Sequence, residues 1–310
     1  MLQRGKLINK LLKNYEKNST MKKNILFSLA LMLTAMLFSA CEKGYTTEEV
    51  ITPDDSQGNI ILRVKSIEMI PFENTTRATT TMEQLCSRLQ FAVFKDGVKV
   101  KNVSQQQGDA HFGETTLTLA EGEYQLVVMG HSCTGTATIT DLEKITFPSN
   151  KVTDSFYYYG TFTVGGNPQT LELELRRAVA MLRFSLSKPL ASSIKQLKFY
   201  YTGGSSTFSA ITGYGSVNSK QTEIRDVANS QNTFEIYTFP HAQTGQLKVT
   251  ITALDANGTE IAETIMEDVP IEINKISRYE GSLFEGAETS ASPSFIAKAD
   301  GEWAGTISVN

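Results

Sequence analysis

The sequence is poor in the residues from which most catalytic and metal sites are built. Its three histidines, His111, His131 and His241, are far apart. None belongs to an HExxH pattern or to a cysteine–histidine cluster with the spacing of a zinc site. The chain has no GxSxG nucleophile motif, and the GYG at residues 213–215 lacks the third glycine and the following helix of a dinucleotide-binding loop. We therefore expect no enzymatic activity and no cofactor.

Positive charge is also scarce. The chain has 29 Lys and Arg against 33 Asp and Glu. The first 40 residues, which we predict below to be removed, hold seven of the basic residues and one of the acidic ones, which leaves 22 and 32 and a net charge of −10. Such a surface repels phosphate backbones, so nucleic acid is excluded as a partner, and there is no polybasic patch for anionic lipid.

Cysteine is limited to Cys41, Cys86 and Cys133. The first is explained below, which leaves an even pair, and a disulfide is permitted in an exported protein. The sequence does not say whether Cys86 and Cys133 come close enough to bridge, so two buried free thiols are the alternative.

Long apolar runs are absent except near the N-terminus. Residues 25–38 are apolar and uncharged and follow the basic Lys22 and Lys23. The run is shorter than the roughly 20 residues of a membrane span but typical of a secretory signal peptide. It ends in the sequence LFSAC, which resembles the lipobox of bacterial lipoproteins, in which Cys41 becomes the lipidated first residue. The alternative is an ordinary signal peptide with a chance cysteine.

Residues 1–20 do not fit this scheme, because they are basic and precede a better start at Met21. We interpret them as a mis-assigned start or an unusually long n-region. Residues 1–40 are therefore assigned to the signal peptide with its upstream extension. The polar residues 41–57 are assigned to a flexible tether.

The stretch LELELRRAVAMLRFSL, residues 171–186, organises the remainder. Its first half alternates leucine with Glu172 and Glu174, which predicts a strand with one apolar face. Arg176 and Arg177 interrupt the pattern, and a second alternating strand follows. We interpret this as the boundary between two β-domains, residues 58–176 and 177–310; the alternative is one long strand in one sandwich.

Short alternating segments predict strands elsewhere, and no segment has a sustained helical period beyond one short helix at residues 82–89. Asp96 and Gly97 predict a hairpin over residues 89–101. A second hairpin is predicted from residues 115–119 and 124–129. The other predicted strands are residues 59–69, 136–140, 156–164, 196–202, 233–239, 247–254, 260–266, 278–284 and 306–309. This pattern predicts an all-β sandwich architecture.

Three features could indicate a functional site. Glu172 and Glu174 could be the carboxylate pair of a glycosidase, but they are two positions apart on the solvent face of one strand, where paired carboxylates are usually only solvated. The tyrosines at residues 157–159 are expected to pack on a sheet, with a carbohydrate-binding platform as the alternative. Trp303, the only tryptophan, is expected to anchor the final strand, with a ligand-binding role as the alternative.

Four segments in order carry a family resemblance: EGEYQLVVMGHSCTG from residue 121, VTDSFYYYGTFTV from residue 152, the organising stretch, and NKISRYEGSLFEG from residue 274. Behind a lipobox, this series resembles the FimB/Mfa-type fimbrial lipoproteins. Cys133 and the basic extension depart from the pattern. The resemblance implies two tandem transthyretin-like β-sandwich domains in a non-enzymatic pilus subunit, often the anchor, held in the outer membrane by lipid on Cys41. Other pilin subunits would be its partners through strand addition. The alternative is a surface glycan-binding lipoprotein.

Two further expectations concern the ends of the mature chain. The resemblance implies cleavage after Arg77, which lies in a threonine-rich loop behind the first strand; the alternative is a solvated, uncut loop, since an anchor must keep Cys41 attached. The tail, residues 287–310, could complete a neighbour's sandwich. We favour its folding back as an edge strand of its own second domain, pinned by Trp303.

Overall fold

The computed structural model describes residues 59–68, 82–284, 294–300 and 306–308, all within one compact unit. These residues form one short helix, α1 (Met82–Leu85), and two 3-10 turns, Pro148–Asn150 and Val227–Asn229. The strands are β1 (Ile60–Glu68), β2 (Arg88–Lys95), β3 (Val98–Gln106), β4 (Glu114–Leu117), β5 (Gly122–His131), β6 (Ile145–Thr146), β7 (Phe156–Val164), β8 (Gln169–Arg177), β9 (Ala180–Leu186), β10 (Gln196–Thr202), β11 (Thr207–Ser209), β12 (Tyr214–Gly215), β13 (Gln221–Asp226), β14 (Thr233–Thr238), β15 (Thr244–Leu254), β16 (Glu260–Glu272), β17 (Ile276–Ser282), β18 (Ser294–Asp300) and β19 (Thr306–Ser308). The predicted all-β class is confirmed.

The first half of the fold comprises β1–β8. All of these strands except β6 build, together with β19, one strongly bent sheet in the order β19-β1-β8-β7-β5-β2-β3, with β4 beside β1. Only two residue pairs join β7 to β8, so the sheet folds over at this corner and encloses its own core. That first core contains buried side chains from both layers, among them Ile60, Leu62, Phe91, Val128 and Leu175.

The second half comprises β9–β18. All of its strands except β11 and β12 form two four-stranded sheets, β13-β10-β15-β16 and β14-β9-β17-β18. They face each other over a second core, whose members include Leu182, Phe184, Phe199, Ile236 and Ile251. Phe184 stacks on Phe199 with ring centroids 5.5 Å apart. Along these strands inward apolar residues alternate with outward polar ones, as expected of a sandwich.

The two halves repeat one strand order. In each, the opening strand (β1 or β9) lies between an antiparallel strand (β4 or β14) and the parallel strand that comes later in the half (β8 or β17). The opposite layers, β3-β2-β5-β7 and β13-β10-β15-β16, also correspond strand by strand in chain order. The strands predicted on either side of Arg176 and Arg177 are separate strands in separate sheets.

A third core joins the halves. It lies on the outer face of β2 and β5, opposite the first core, and includes residues from both halves. Its buried members are Ala92, Phe94, Val127, Met129, Cys133, Ala137, Ile139, Leu142, Ile145, Phe147, Val152, Ala178, Val179, Phe208, Ala210 and Phe239. The small sheet β12-β11-β6 crosses the same junction, because β6 belongs to the first half and β11 to the second.

The turn chemistry behaves as the sequence predicts. Asp96 and Gly97 both have positive φ, 51° and 76°, which a two-residue turn of this kind requires, and they join β2 to β3. Gly258, with φ 78°, closes the turn between β15 and β16, the strands predicted at residues 247–254 and 260–266. The predicted helix after residue 82 is confirmed but is only four residues long.

Two strand predictions are wrong. The predicted hairpin of residues 115–119 with 124–129 does not form, because β5 uses both its edges for β2 and β7 while β4 pairs with β1. Residues 136–140 form no strand; Thr138 makes one isolated bridge to Thr146. Their alternation is real, since Ala137 and Ile139 are buried, but it reflects a loop lying over the third core.

Candidate functional site: the outer edge of β1

Strand β1 presents one apolar face to the first core and one polar face to solvent. Ile60 and Leu62 are fully buried, while Arg63 and Lys65 point outward. Arg63 Nε lies 2.5 Å from Glu114 Oε2, which belongs to β4. Such exposed pairs contribute little stability, so β1 is held mainly by burial and by backbone pairing.

The two edges of β1 are covered differently. Along one edge β8 runs parallel to it, from Ile60 opposite Gln169 to Glu68 opposite Arg176, with a register shift between Val64 and Ser66. The other, outer edge is divided between two strands. β4 pairs with the beginning of β1 over four residue pairs, and β19 pairs with its end over three.

β4 is short because the chain turns away just before it. Gly113 has φ 100°, in the left-handed region that favours glycine, and its carbonyl accepts a hydrogen bond of 2.8 Å from the amide of Val64. Beyond that point the first half supplies no pairing partner, among the described residues, for the outer edge of Ser66 to Glu68. The last described strand of the chain, β19, fills the gap.

The tail therefore has two separate attachments. β18 pairs with β17 as an edge strand of the second half, which confirms the expected fold-back for this part. For β19 the expected fold-back onto the second half is wrong, because this strand pairs instead with the part of β1, in the first half, that β4 leaves uncovered. Trp303 lies outside the described residues, as do Cys41 and Arg77, so the expectations on these three residues stay predictions.

A buried ion pair lies where the halves meet and was missed by the sequence analysis. Arg177 has a fully buried side chain and donates two hydrogen bonds to Asp154, at 2.7 and 2.8 Å. It also donates to Asn274, in the turn between β16 and β17, at 3.2 Å. Its guanidinium lies 4.9 Å from the ring centroid of Phe156. Burial raises the pKa of Asp154, and the guanidinium of Arg177 opposes that shift.

The signal for this pair was present in the alternation. Arg177 is two positions beyond Leu175 and four beyond Leu173, so it lies on the same, inward face of β8. An arginine in that position requires a buried partner, and the loop before β7 provides it.

Cys86 and Cys133 are buried free thiols in the structure. They belong to different cores, Cys86 to the first and Cys133 to the third, on opposite faces of β2 and β5. The disulfide that the sequence permits is not formed in it. Burial raises the pKa of the Cys86 thiol to about 12, which makes it a poor nucleophile.

The histidines occupy unrelated places. His131 is fully buried, its Nδ1 accepts a hydrogen bond from the Cys133 amide, and burial lowers its pKa to about 4, so the ring is neutral near pH 7. His111 lies in a loop with φ 59°, and His241 is exposed, with Nδ1 2.9 Å from the carbonyl oxygen of Gly215. The described part of the chain contains no group of three His, Cys, Asp or Glu residues that could hold a metal ion.

The tyrosine side chains of residues 157–159 pack against the buried cores. Tyr158 packs against the first core, and Tyr157 and Tyr159 pack against the third. The ring of Tyr157 meets that of Phe208 edge-on at 4.8 Å. Glu172 and Glu174 are exposed, as expected.

No helix among the described residues is both long and apolar enough to cross a membrane.

Several solved structures resemble this fold at low sequence identity. The fimbrial anchor protein Mfa2 from Porphyromonas gingivalis is 12% identical with a TM-score of 0.39, and the alignment covers 71% of this chain and 89% of that one. A fimbrial assembly protein from Parabacteroides distasonis is 13% identical with a TM-score of 0.41, covering 80% and 97%. A candidate polysaccharide-binding protein from Bacteroides thetaiotaomicron is 13% identical with a TM-score of 0.45, covering 79% and 96%.

Comparison of the sequence with known proteins and with family models identifies the family. No curated protein matches the chain. A family model described as a family of unknown function, DUF6562, matches residues 53–307, which is most of the sequence. The chain therefore belongs to the DUF6562 family.

Proposed function

We propose that this chain is a cell-surface lipoprotein that serves as a structural subunit of a fimbria, in the anchor position, and not as an enzyme. Lipid on Cys41 would hold it in the outer membrane, and residues 41–57 would link that lipid to β1. The order of family-like segments behind a lipobox supports this proposal. So does the repeated strand order, which fits two tandem transthyretin-like domains that meet between β8 and β9, just beyond the boundary after residue 176 that the sequence predicted.

The observation that carries the proposal is the divided outer edge of β1. A sheet edge exposes unpaired backbone groups, and a strand from another chain can satisfy them. Here three residue pairs from a short tail strand cover the part of the edge that β4 leaves open. A neighbouring subunit could add a strand at this place by displacing β19, with no catalytic residue required.

The position of β1 also bears on the predicted processing after Arg77. Cleavage there would leave β1, with any lipid attached before it, held only by its pairing with β8, β4 and β19. Because Ile60, Leu62 and Ile67 are fully buried, we propose that β1 stays in the sheet whether or not the loop is cut.

The test is a Cys41→Ala variant in native cells, with Ser56→Ala in the same predicted tether as control. We expect the Cys41 variant to be exported, to incorporate no labelled palmitate and to leave the membrane fraction. Fimbriae that contain it should be shed into the medium, as seen by electron microscopy with a specific antibody. The control should keep both the protein and the fimbriae on the cell.

Palmitate incorporation in the Cys41 variant would contradict lipidation at this residue. Release of the protein with unchanged fimbriae and no co-purifying subunit would contradict the fimbrial role. Mass spectrometry of the native protein decides the processing prediction, because cleavage after Arg77 yields two fragments in place of one.

A further inference from the structure

Residues 132–152, most of the connection between β5 and β7, cover the outer face of β2 and β5 and join the two halves. They supply Cys133, Ile139 and Phe147 to the third core. Strand β6 lies among them and pairs with β11 of the second half. The ring of Phe147 stacks on that of Phe239, also of the second half, with centroids 5.3 Å apart. We call residues 132–152 the covering segment.

The covering segment has little strand pairing of its own. Among the described residues this pairing is limited to the bridge between Thr138 and Thr146 and to the two residue pairs between β6 and β11. The carbonyl of Leu142 also accepts a hydrogen bond of 2.8 Å from the amide of Ala210. Beneath the segment, β2 and β5 pair over seven residue pairs. Because it has fewer backbone hydrogen bonds, the segment should open locally at a lower free energy than the sheet it covers.

His131, the last residue of β5, holds the start of the covering segment. Its side chain is fully buried, and its ring meets that of Phe147 edge-on at 5.4 Å. Nδ1 accepts a hydrogen bond of 3.1 Å from the amide of Cys133, so the proton of the neutral ring is on Nε2. No described residue accepts a hydrogen bond from Nε2. The bond that joins the ring to the segment therefore requires a neutral imidazole.

The charged group that faces the ring most directly is Arg88 of β2, which pairs with His131 on the same face of the sheet. Burial first, and this cation second, lower the pKa of His131 from 6.5 to about 4. Lys151 and, from the second half, Glu223 act on the neighbouring thiol of Cys133. A proton on Nδ1 would turn that atom into a donor facing the N–H of Cys133, which replaces an attraction by a repulsion.

We propose that protonation of His131 releases the covering segment from the third core, so that acid loosens the connection between the two halves. The segment contributes no residue to the first or the second core, and both cores stay closed when it opens. This acid-sensitive connection does not depend on the fimbrial proposal.

The direction of the pH effect follows from the ring in its two surroundings. In the open form the pKa of His131 returns to its ordinary 6.5, whereas in the closed form it is about 4, so the open form binds the proton more tightly. Closure is fully favoured above pH 6.5 and is lost as the pH falls towards 4. The ratio of open to closed molecules should rise about 100-fold between pH 7.5 and pH 4. Asp154, whose pKa burial raises, acts in the opposite direction.

The two buried cysteines provide the test, because Cys133 belongs to the third core and Cys86 to the first. The reaction of each thiol with 4,4′-dithiodipyridine is followed by mass spectrometry from pH 7.5 to pH 4. Each rate is divided by that of N-acetylcysteine at the same pH, which removes the intrinsic pH dependence of a thiol. We expect the relative rate of Cys133 to rise about 100-fold and to stay at least about tenfold above that of Cys86.

Two variants assign the effect. His131→Asn keeps an oxygen that can accept from the amide of Cys133 but cannot take up a proton in this range, so its relative rate at Cys133 should not change with pH. His241→Asn removes an exposed histidine and should behave as the wild type.

A relative rate of Cys133 that does not rise in acid would overturn the proposal, and this measurement on the wild type needs no variant. An equal rise in His131→Asn would overturn it too, because the acid sensitivity would then belong to another group. Equal rates at Cys86 and Cys133 would show that the whole fold opens and not the covering segment.

Discussion

The two halves share a strand order but differ in how each protects its opening strand. In the second half, β14 pairs with β9 over six residue pairs, from Ala180 to Ser185. In the first half, β4 pairs with β1 over four, and the remaining length is covered by β19 from the end of the chain. The same topology therefore gives two different edges: β9 is paired by a strand of its own half, whereas β1 also needs β19 from the end of the chain.

The halves also differ in their closure. The first half bends one sheet around its core through the β7–β8 corner, where Phe156 and Tyr157 pair with Arg177 and Arg176. The second half keeps two separate sheets. Arg177 thus has two roles at one place, since it closes the first sandwich and reaches Asn274 of the second half.

The largest expected effect follows from that double role. Arg177→Met removes the partner of Asp154 and leaves this mostly buried carboxylate, whose side chain is 20% exposed, unpaired, which should lower the free energy of unfolding by about 3 kcal/mol. Arg183→Met, which breaks a pair with Glu235 inside the second half whose side chains are 16% and 32% exposed, should cost on the order of 1 kcal/mol. Denaturant unfolding followed by circular dichroism measures both. An equal loss in the two variants would show that the junction is not special.

A second comparison truncates the same residue type in the two opening strands. Leu62 in β1 and Leu182 in β9 are both fully buried, so Leu62→Ala and Leu182→Ala should each cost about 3 kcal/mol. Because the third core draws on both halves, we expect each variant to unfold in one transition in calorimetry. Two resolved transitions would instead indicate halves that unfold independently.

The smallest expected effect on stability concerns β19, the strand from the end of the chain that pairs with β1. Deletion of residues 306–310 removes three residue pairs and should lower the free energy of unfolding by about 1 kcal/mol or less. Hydrogen exchange should quicken between Ser66 and Glu68 and stay unchanged at Ile61 to Arg63, which β4 covers. Uniform exchange changes along β1 would contradict this division of the edge.

Local patterns predicted much of the fold. Alternation located β1, β7, β8 and β10, and Asp96 with Gly97 located a hairpin, because these signals arise within a few residues. The runs around Phe94 and Val127 are apolar on both faces, which signals burial on both sides. The side chains that cover the outer face of β2 and β5, including Phe208 and Phe239, come from segments far away in the chain. Local sequence therefore could not predict them.

The candidate sites, too, depend on contacts that local sequence patterns do not predict. The pairing of β4 with β1 and the arrival of β19 depend on long-range topology. In β13 the pattern misleads, because Ile224 is exposed while Glu223 is buried. In this edge strand the inward face, which Glu223 and Arg225 share with Phe199 and Leu197 of β10, is the polar one.

The parallel pairing of β1 with β8 has a mechanical consequence for a tethered protein. Force that arrives through the residues before Asn59 enters β1 at its N-terminal end and acts along the strand. The hydrogen bonds to β8, from Ile60 to Glu68, then resist together, whereas strands pulled apart from one end lose their bonds one at a time. Resistance to forced unfolding is set by the rate of unfolding and not by equilibrium stability. The attachment would therefore have a lifetime under load that is governed by extraction of this single strand.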